Sequence, residues 1–155
     1  MSTLLVSISV WLHALATIVM VGYFVFSSLI YLPVFERQMP ANALRTMLEQ
    51  ISNRLRPFFG VSLLIFLVTG THLMLIDENY LGLGNFFGNT WSVLIIIKHV
   101  LVLVFLALAI YSERAYLGRI SDQNPEALNK FRLAININTV LGLVILLLTS
   151  IAQVG

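Results

Sequence analysis

The sequence predicts an all-α integral membrane protein, an up-and-down four-helix bundle with the N- and C-termini outside. Three observations predict it. Hydrophobic residues fill 59% of the 155 positions and charged residues only 10%, whereas a soluble domain is about a quarter charged. Four apolar stretches each supply the roughly 20 residues that a helix needs to cross a bilayer core. Eight of the nine basic residues fall in the first and third connections between these stretches, and basic connections face the cytoplasm. The same composition excludes a soluble globular domain, a disordered chain and a nucleic-acid binder.

The first span covers about residues 4–35 without a charge. It is longer than a crossing needs, so it is expected to tilt or to extend beyond the bilayer. It lacks a basic n-region and a short h-region, which argues against a cleaved signal peptide. The connection over residues 36–56 carries Glu36, Arg37, Arg45, Glu49, Arg54 and Arg56. Within it Leu44, Met47, Leu48, Ile51 and Leu55 recur at helical spacing, which predicts a short amphipathic helix lying on the cytoplasmic surface. The second span covers about residues 57–76. Asp77 and Glu78 give the next connection two acids and no base, and its Gly and Asn residues mark a flexible turn region. The third span, about residues 91–111, is interrupted by Lys98 and His99. The third connection holds Asn124-Pro125-Glu126, a helix start with an N-cap, a proline at the first helical position and an acid in the first turn. The last helix should therefore begin in the cytoplasm before it spans the membrane over about residues 133–154. No repeat or low-complexity segment divides the chain, and residues 1–155 read as a single transmembrane domain.

Ionisable residues inside spans are costly and are functional candidates by default. There are four, His13, His72, Lys98 and His99, and they include every histidine of the chain. At 1.5 Å per residue, His13 lies roughly 13 Å from the outer start of its span, His72 roughly 6 Å from the outer end of its own, and His99 roughly 12 Å from an outer start. The helices alternate in direction, yet all three histidines fall in the outer half. With no cysteine, thiolate metal sites, iron–sulfur clusters and disulfides are excluded. Imidazole then becomes the natural ligand for haem iron, copper or zinc.

A bis-His haem b needs two imidazoles at similar depth on facing helices. His13 and His99 are the preferred axial pair, because the first and third helices of such a bundle are diagonal neighbours. His72 is the alternative ligand, a partner for a haem propionate, or the third member of a three-histidine copper or zinc site. Lys98 would hold propionates near the outer face, or snorkel to the headgroups. A structural reading stands beside these, in which the histidines only hydrogen-bond neighbouring helices. Asn136 and Asn138 read as interhelical hydrogen bonds. Trp11, Tyr80 and Trp91 read as interfacial anchors, and Met20 and Met74 as packing. The cytoplasmic halves of the first three spans are nearly devoid of polar groups, which argues against a channel.

These residues support three functions. The first is a b-type cytochrome of the inner membrane, exchanging electrons with a quinone or a small redox partner. The second is a copper- or zinc-binding membrane protein for transport or resistance. The third is an accessory structural subunit. A homodimer or a larger membrane complex fits all three.

Several short motifs carry a family resemblance. Trp11-Leu12-His13, Gly22 and Tyr31-Leu32-Pro33 resemble the first helix of the family related to copper resistance protein D, and of the related four-helix protoporphyrinogen oxidases. Thr69-Gly70 resembles the end of the second helix, and Leu94 to Val104 with Lys98 resembles the third. Phe131-Arg132, Asn136 and Leu141-Gly142-Leu143-Val144-Ile145-Leu146 resemble the last. The oxidase branch implies haem b and removal of hydrogen from protoporphyrinogen. The copper branch implies copper handling at the inner membrane. By this resemblance His13 and Lys98 match the polar positions of the oxidase pattern. The chain departs from that pattern by adding His72 and His99. It also has Tyr111-Ser112-Glu113-Arg114 where the oxidases carry an aromatic, histidine-rich end, which leaves haem binding as the more portable implication.

Overall fold

The computed structural model describes residues 3–82, 84, 85 and 87–154, with side chains to residue 152. Its elements are α1 (Thr3–Phe26), a π-helical turn (Ser27–Tyr31), α2 (Leu32–Gln38), α3 (Ala41–Ile76), α4 (Thr90–Ala115), a 3₁₀ turn (Leu117–Arg119) and α5 (Pro125–Val154). Four continuous helical rods are long and apolar enough to cross a membrane: Thr3–Gln38, Ala41–Ile76, Thr90–Arg119 and Pro125–Ala152. The chain is thus a multi-pass, four-helix membrane bundle. One end carries the two basic connections and the other carries the loop of residues 77–89. These are called the basic end and the loop end below.

Packing order follows from the contacts. α1 lies against both α3 and α5, and α5 lies against α4. α1 and α3 run antiparallel, with His13 beside Thr69 and Phe24 near Phe59. α1 and α5 do likewise, with Thr139 beside Phe24 and Ser28 beside Asn136. At Gly142 the two backbones approach so closely that a Cβ would fall 2.8 Å from Val21 Cγ1, the kind of contact that small residues permit between membrane helices. α3 and α4 make no extensive contact of their own. They are joined by side chains at the basic end.

The first rod is longer than one crossing, as its sequence requires, and it contains a π turn that the sequence did not announce. Such turns leave backbone groups out of register with the α-helical ladder. Here Thr139 donates to the Phe24 carbonyl at 2.9 Å and to the Ile135 carbonyl at 3.0 Å, while Ser28 donates to Asn136 Oδ1 at 2.7 Å. α5 therefore buttresses the stretch around the turn. Asn138 is fully buried. With its amide nitrogen facing the Phe105 carbonyl and its oxygen facing the Ala109 N–H, each at 3.2 Å, it clasps the backbone of α4. Both asparagines make the interhelical bonds expected of them.

One element differs from expectation. The amphipathic segment around Leu44 to Leu55 does not lie along the surface as a separate helix. It is the first half of α3, which continues unbroken through Pro57. Proline removes one backbone hydrogen bond and disfavours a helix interior, so tertiary packing must carry the continuity. Leu44 and Leu48 are buried in one core cluster with Leu117, Ile120, Ala127 and Phe131. The bundle therefore extends past the bilayer, and the apolar stripe has protein rather than lipid to bury against. Asp122 completes the start of α3, where Pro40 offers no side-chain cap. It accepts from the Ala41 N–H at 2.9 Å and from Asn42 Nδ2 at 2.8 Å. α5 begins as its sequence predicts, with Asn124 Oδ1 accepting from the Ala127 N–H at 3.2 Å.

Candidate functional site

The loop-end half of the bundle holds all four ionisable span residues. His13 sits on α1 with its ring turned to α3. Its Nδ1 lies 3.0 Å from Thr69 Oγ1. The Thr69 hydroxyl already donates to the Ile65 carbonyl at 2.6 Å, so it has a lone pair and no proton to offer the ring. His13 Nδ1 is then the donor, and Nε2 is left with its lone pair free. Phe66 stacks on the ring with centroids 4.5 Å apart. Gly70 lets the helices close on it, since a Cβ there would meet His13 Cε1 at 3.1 Å. An imidazole fixed through one nitrogen and open at the other is the usual arrangement of a metal-binding histidine. The Thr69-Gly70 pair is therefore what holds His13.

His72 stands three residues after Thr69 on the same helix, one turn nearer the loop. It is half-buried, and its Nδ1 is shielded from solvent with no hydrogen-bond partner among the described residues. Such orphaned groups are rare in folded proteins and call for an explanation. Lys98 is half-buried on α4 and lies within electrostatic range of His13. His99, one residue and about 100° further round the helix, lies on the exposed flank of α4. Its Nδ1 contacts the Ile95 carbonyl of its own helix at 2.7 Å. A carbonyl only accepts, so this ring also carries its proton on Nδ1 and leaves Nε2 free.

The structure brings His13, Thr69, Gly70 and Phe66 together, with Lys98 half-buried on α4. It does not bring three histidines together. Among the described residues no three of His, Asp and Glu form a group that could hold a metal ion. The three-histidine site is corrected on this point: His13 and His72 are half-buried and His99 is exposed on α4. Of the expected axial pair, the His13 ring contacts Thr69 of α3 and His99 is exposed on α4. Trp91 also departs from expectation, with 9% exposure against 62% for Trp11. It packs inside the bundle, whereas Trp11 has the exposed position of an anchor. Met20 is buried in the core cluster, as a packing residue would be.

The basic end holds a feature that the sequence reading missed. A half-open cavity of about 720 Å³ lies between α3 and α4, lined at one side by Ser52, Arg56, Glu113 and Arg114 and at the other by Phe24 and Phe59. Glu113 Oε1 accepts from Ser52 Oγ at 2.5 Å and from Arg56 Nη2 at 2.6 Å. Partial burial opposes the charge on Glu113, but these two donors and the nearby Arg114 hold its carboxyl below the ordinary glutamate value. No single sequence window shows this cavity, because its walls come from four separated segments, on α1, α3, α4 with the turn after it, and α5.

Comparison with known proteins adds one finding. Residues 49–152 match the family model described as copper resistance protein D. The match takes in α3 from Glu49 onward, α4 and nearly all of α5, and so includes His72, Lys98 and His99. His13 and the first-helix motifs precede it. The match speaks for the copper branch of the resemblance and is silent on the oxidase branch. No curated protein and no solved structure matches the chain.

Proposed function

The chain belongs to the copper resistance protein D family, and from that premise we propose that it handles copper ion as its substrate, through imidazoles near the loop end. The observation that carries this reading is the shielded Nδ1 of His72, which has no partner among the described residues. One turn away, His13 is held by Thr69 with its Nε2 open. Imidazole suits copper, and the chain has no thiolate to compete for it. A few imidazoles that do not close into a cage fit a cation that must leave again. Copper is therefore read as cargo held in passing. The proposed location is the inner membrane, and the basic connections support an orientation with the loop end outside.

Two other readings have specific support to weigh. The His99 ring is oriented by the Ile95 carbonyl, as a haem ligand's would be, but it sits on an exposed flank. The His13–Thr69 contact is itself an interhelical hydrogen bond, which is what an accessory structural subunit would use. Equilibrium dialysis of the purified protein against copper, with an absorption spectrum of the same sample, separates the three. The copper reading expects bound copper without a Soret band, and an affinity about tenfold or more weaker in His13→Ala and His72→Ala, in line with the cost of disturbing a ligand shell. A Soret band that disappears in His13→Ala or His99→Ala supports the haem reading. Undiminished copper affinity in both His13→Ala and His72→Ala leaves the histidines a structural role.

A further inference from the structure

The cavity at the basic end stands apart from the copper reading and has its own chemistry. It offers no His, Met or Cys side chain, so it is not a second copper site. Its volume of about 720 Å³ lies within the roughly 300–1,000 Å³ typical of small-molecule sites. Its walls are two-toned. Toward the end of the bundle stand Ser52, Arg56, Glu113 and Arg114. Toward the bilayer stand Phe24 and Phe59.

Charge counting separates the guanidiniums. Arg56 is neutralised by Glu113 at 2.6 Å, and the lining Glu49 is neutralised by Arg45 at 3.0 Å. Arg114 makes no ion pair among the described residues. The lining thus holds two acids and two bases, and Arg114 is the one of the four without an ion-pair partner among the described residues, beside an apolar wall. α3 and α4 do not pack closely on each other, and the cavity lies where they stand apart. By the positive-inside bias this end of the bundle lies at the cytoplasmic face of the bilayer. Basic pockets between spanning helices at that level suit the phosphate of a lipid headgroup.

We propose that the cleft between α3 and α4 at the basic end binds a phosphate-bearing amphiphile, its phosphate on Arg114 and Arg56 and its apolar part along Phe59 and Phe24. The attached apolar part distinguishes this ligand from free phosphate, because an inorganic anion would leave the aromatic wall unused.

The test is a thermal-unfolding titration of the intact protein in neutral detergent. Three additives are compared: short-chain phosphatidylglycerol, short-chain phosphatidylcholine and inorganic phosphate. A ligand bound only by the folded state raises the melting temperature in proportion to its affinity and concentration. Phosphatidylglycerol should raise it saturably, with an apparent affinity at least about tenfold above that of either other additive. Arg114→Gln should weaken the phosphatidylglycerol effect by about tenfold. Arg37→Gln, a cytoplasmic cation outside the cavity, should leave it unchanged. Arg114 has no internal ion pair to lose, so its variant should fold normally. If Arg114→Gln proves unstable, Phe59→Leu serves as the second variant and should weaken phosphatidylglycerol while sparing the basic lining. Equal response of the wild type and both cavity variants to phosphatidylglycerol overturns the proposal. An inorganic-phosphate response as strong as that to the lipid overturns the amphiphile assignment and makes the source a free anion. Equal response to phosphatidylcholine overturns the role of net charge.

Discussion

The two halves of the bundle treat their polar groups differently. In the basic half, polar groups set between the helices are matched. Asn138 clasps the Phe105 and Ala109 backbone, Thr139 caps the Phe24 carbonyl, Asn136 meets Ser28, and Glu113 gathers Ser52 and Arg56. In the loop half, imidazole nitrogens are left over. His72 Nδ1 has no partner among the described residues, and His13 and His99 each use Nδ1 and leave Nε2 open. Satisfied polar groups between membrane helices fix their packing, whereas an unsatisfied one carries a cost that a ligand can relieve. Around Asn138 and Thr139 the matched groups serve helix register, whereas the leftover imidazole nitrogens of the loop half are read as serving copper.

Substitutions can break this contrast, and the largest effect is expected where helices approach most closely. Gly142→Leu forces a side chain into Val21 and should destabilise the bundle by about 1–3 kcal/mol, as overpacking does. Thermal melts in detergent would show it, and copper affinity should follow only to the extent that the protein unfolds. Asn138→Ala should remove about 1–2 kcal/mol through lost interhelical bonds and a small void, again with copper affinity intact. His13→Ala should reverse the pattern. Its single interhelical bond contributes about 0.6 kcal/mol, yet copper affinity should fall by about tenfold or more. Thr69→Val, which removes the hydroxyl that orients His13, should lower copper affinity in the same direction with a comparably small change in stability.

The Glu113 tie gives the smallest effect. Its carboxyl is held below the ordinary value by Ser52 and Arg56. Its contribution is complete at pH values above the ordinary carboxylate range and is lost as pH falls through the lowered value. The pair is partly exposed, so the contribution should stay below about 1 kcal/mol. Acid titration of the melting temperature, compared with Glu113→Gln, measures it.

Much of the architecture could be read from composition, because few residues satisfy the needs of a bilayer. The four spans, the cap at Asn124-Pro125 and the bonding roles of Asn136 and Asn138 all follow from local rules. Three features depended on tertiary context. Leu44 to Leu55 has the pattern of a surface helix, and it is the presence of Leu117, Ile120 and Phe131 that gives Leu44 and Leu48 a protein core to enter. Lys98 and His99 are adjacent, so rotation of α4 decides which faces the bundle, and periodicity does not fix that rotation. The cavity between α3 and α4 depends on how two distant segments diverge. Within the candidate site, the histidines and Lys98 were visible as rare polar groups in spans. The role of Thr69 and Gly70 in holding His13 needed the helix pairing.

The central claim is that copper meets imidazole nitrogen from His13 and His72. X-ray absorption at the copper edge on the copper-loaded protein tests it most directly. The account predicts nitrogen scatterers near 2.0 Å, a distance typical of metal–imidazole bonds, with the imidazole signature weakened in His13→Ala and in His72→Ala. A wild-type spectrum dominated by oxygen donors, or one unchanged by both substitutions, would contradict it.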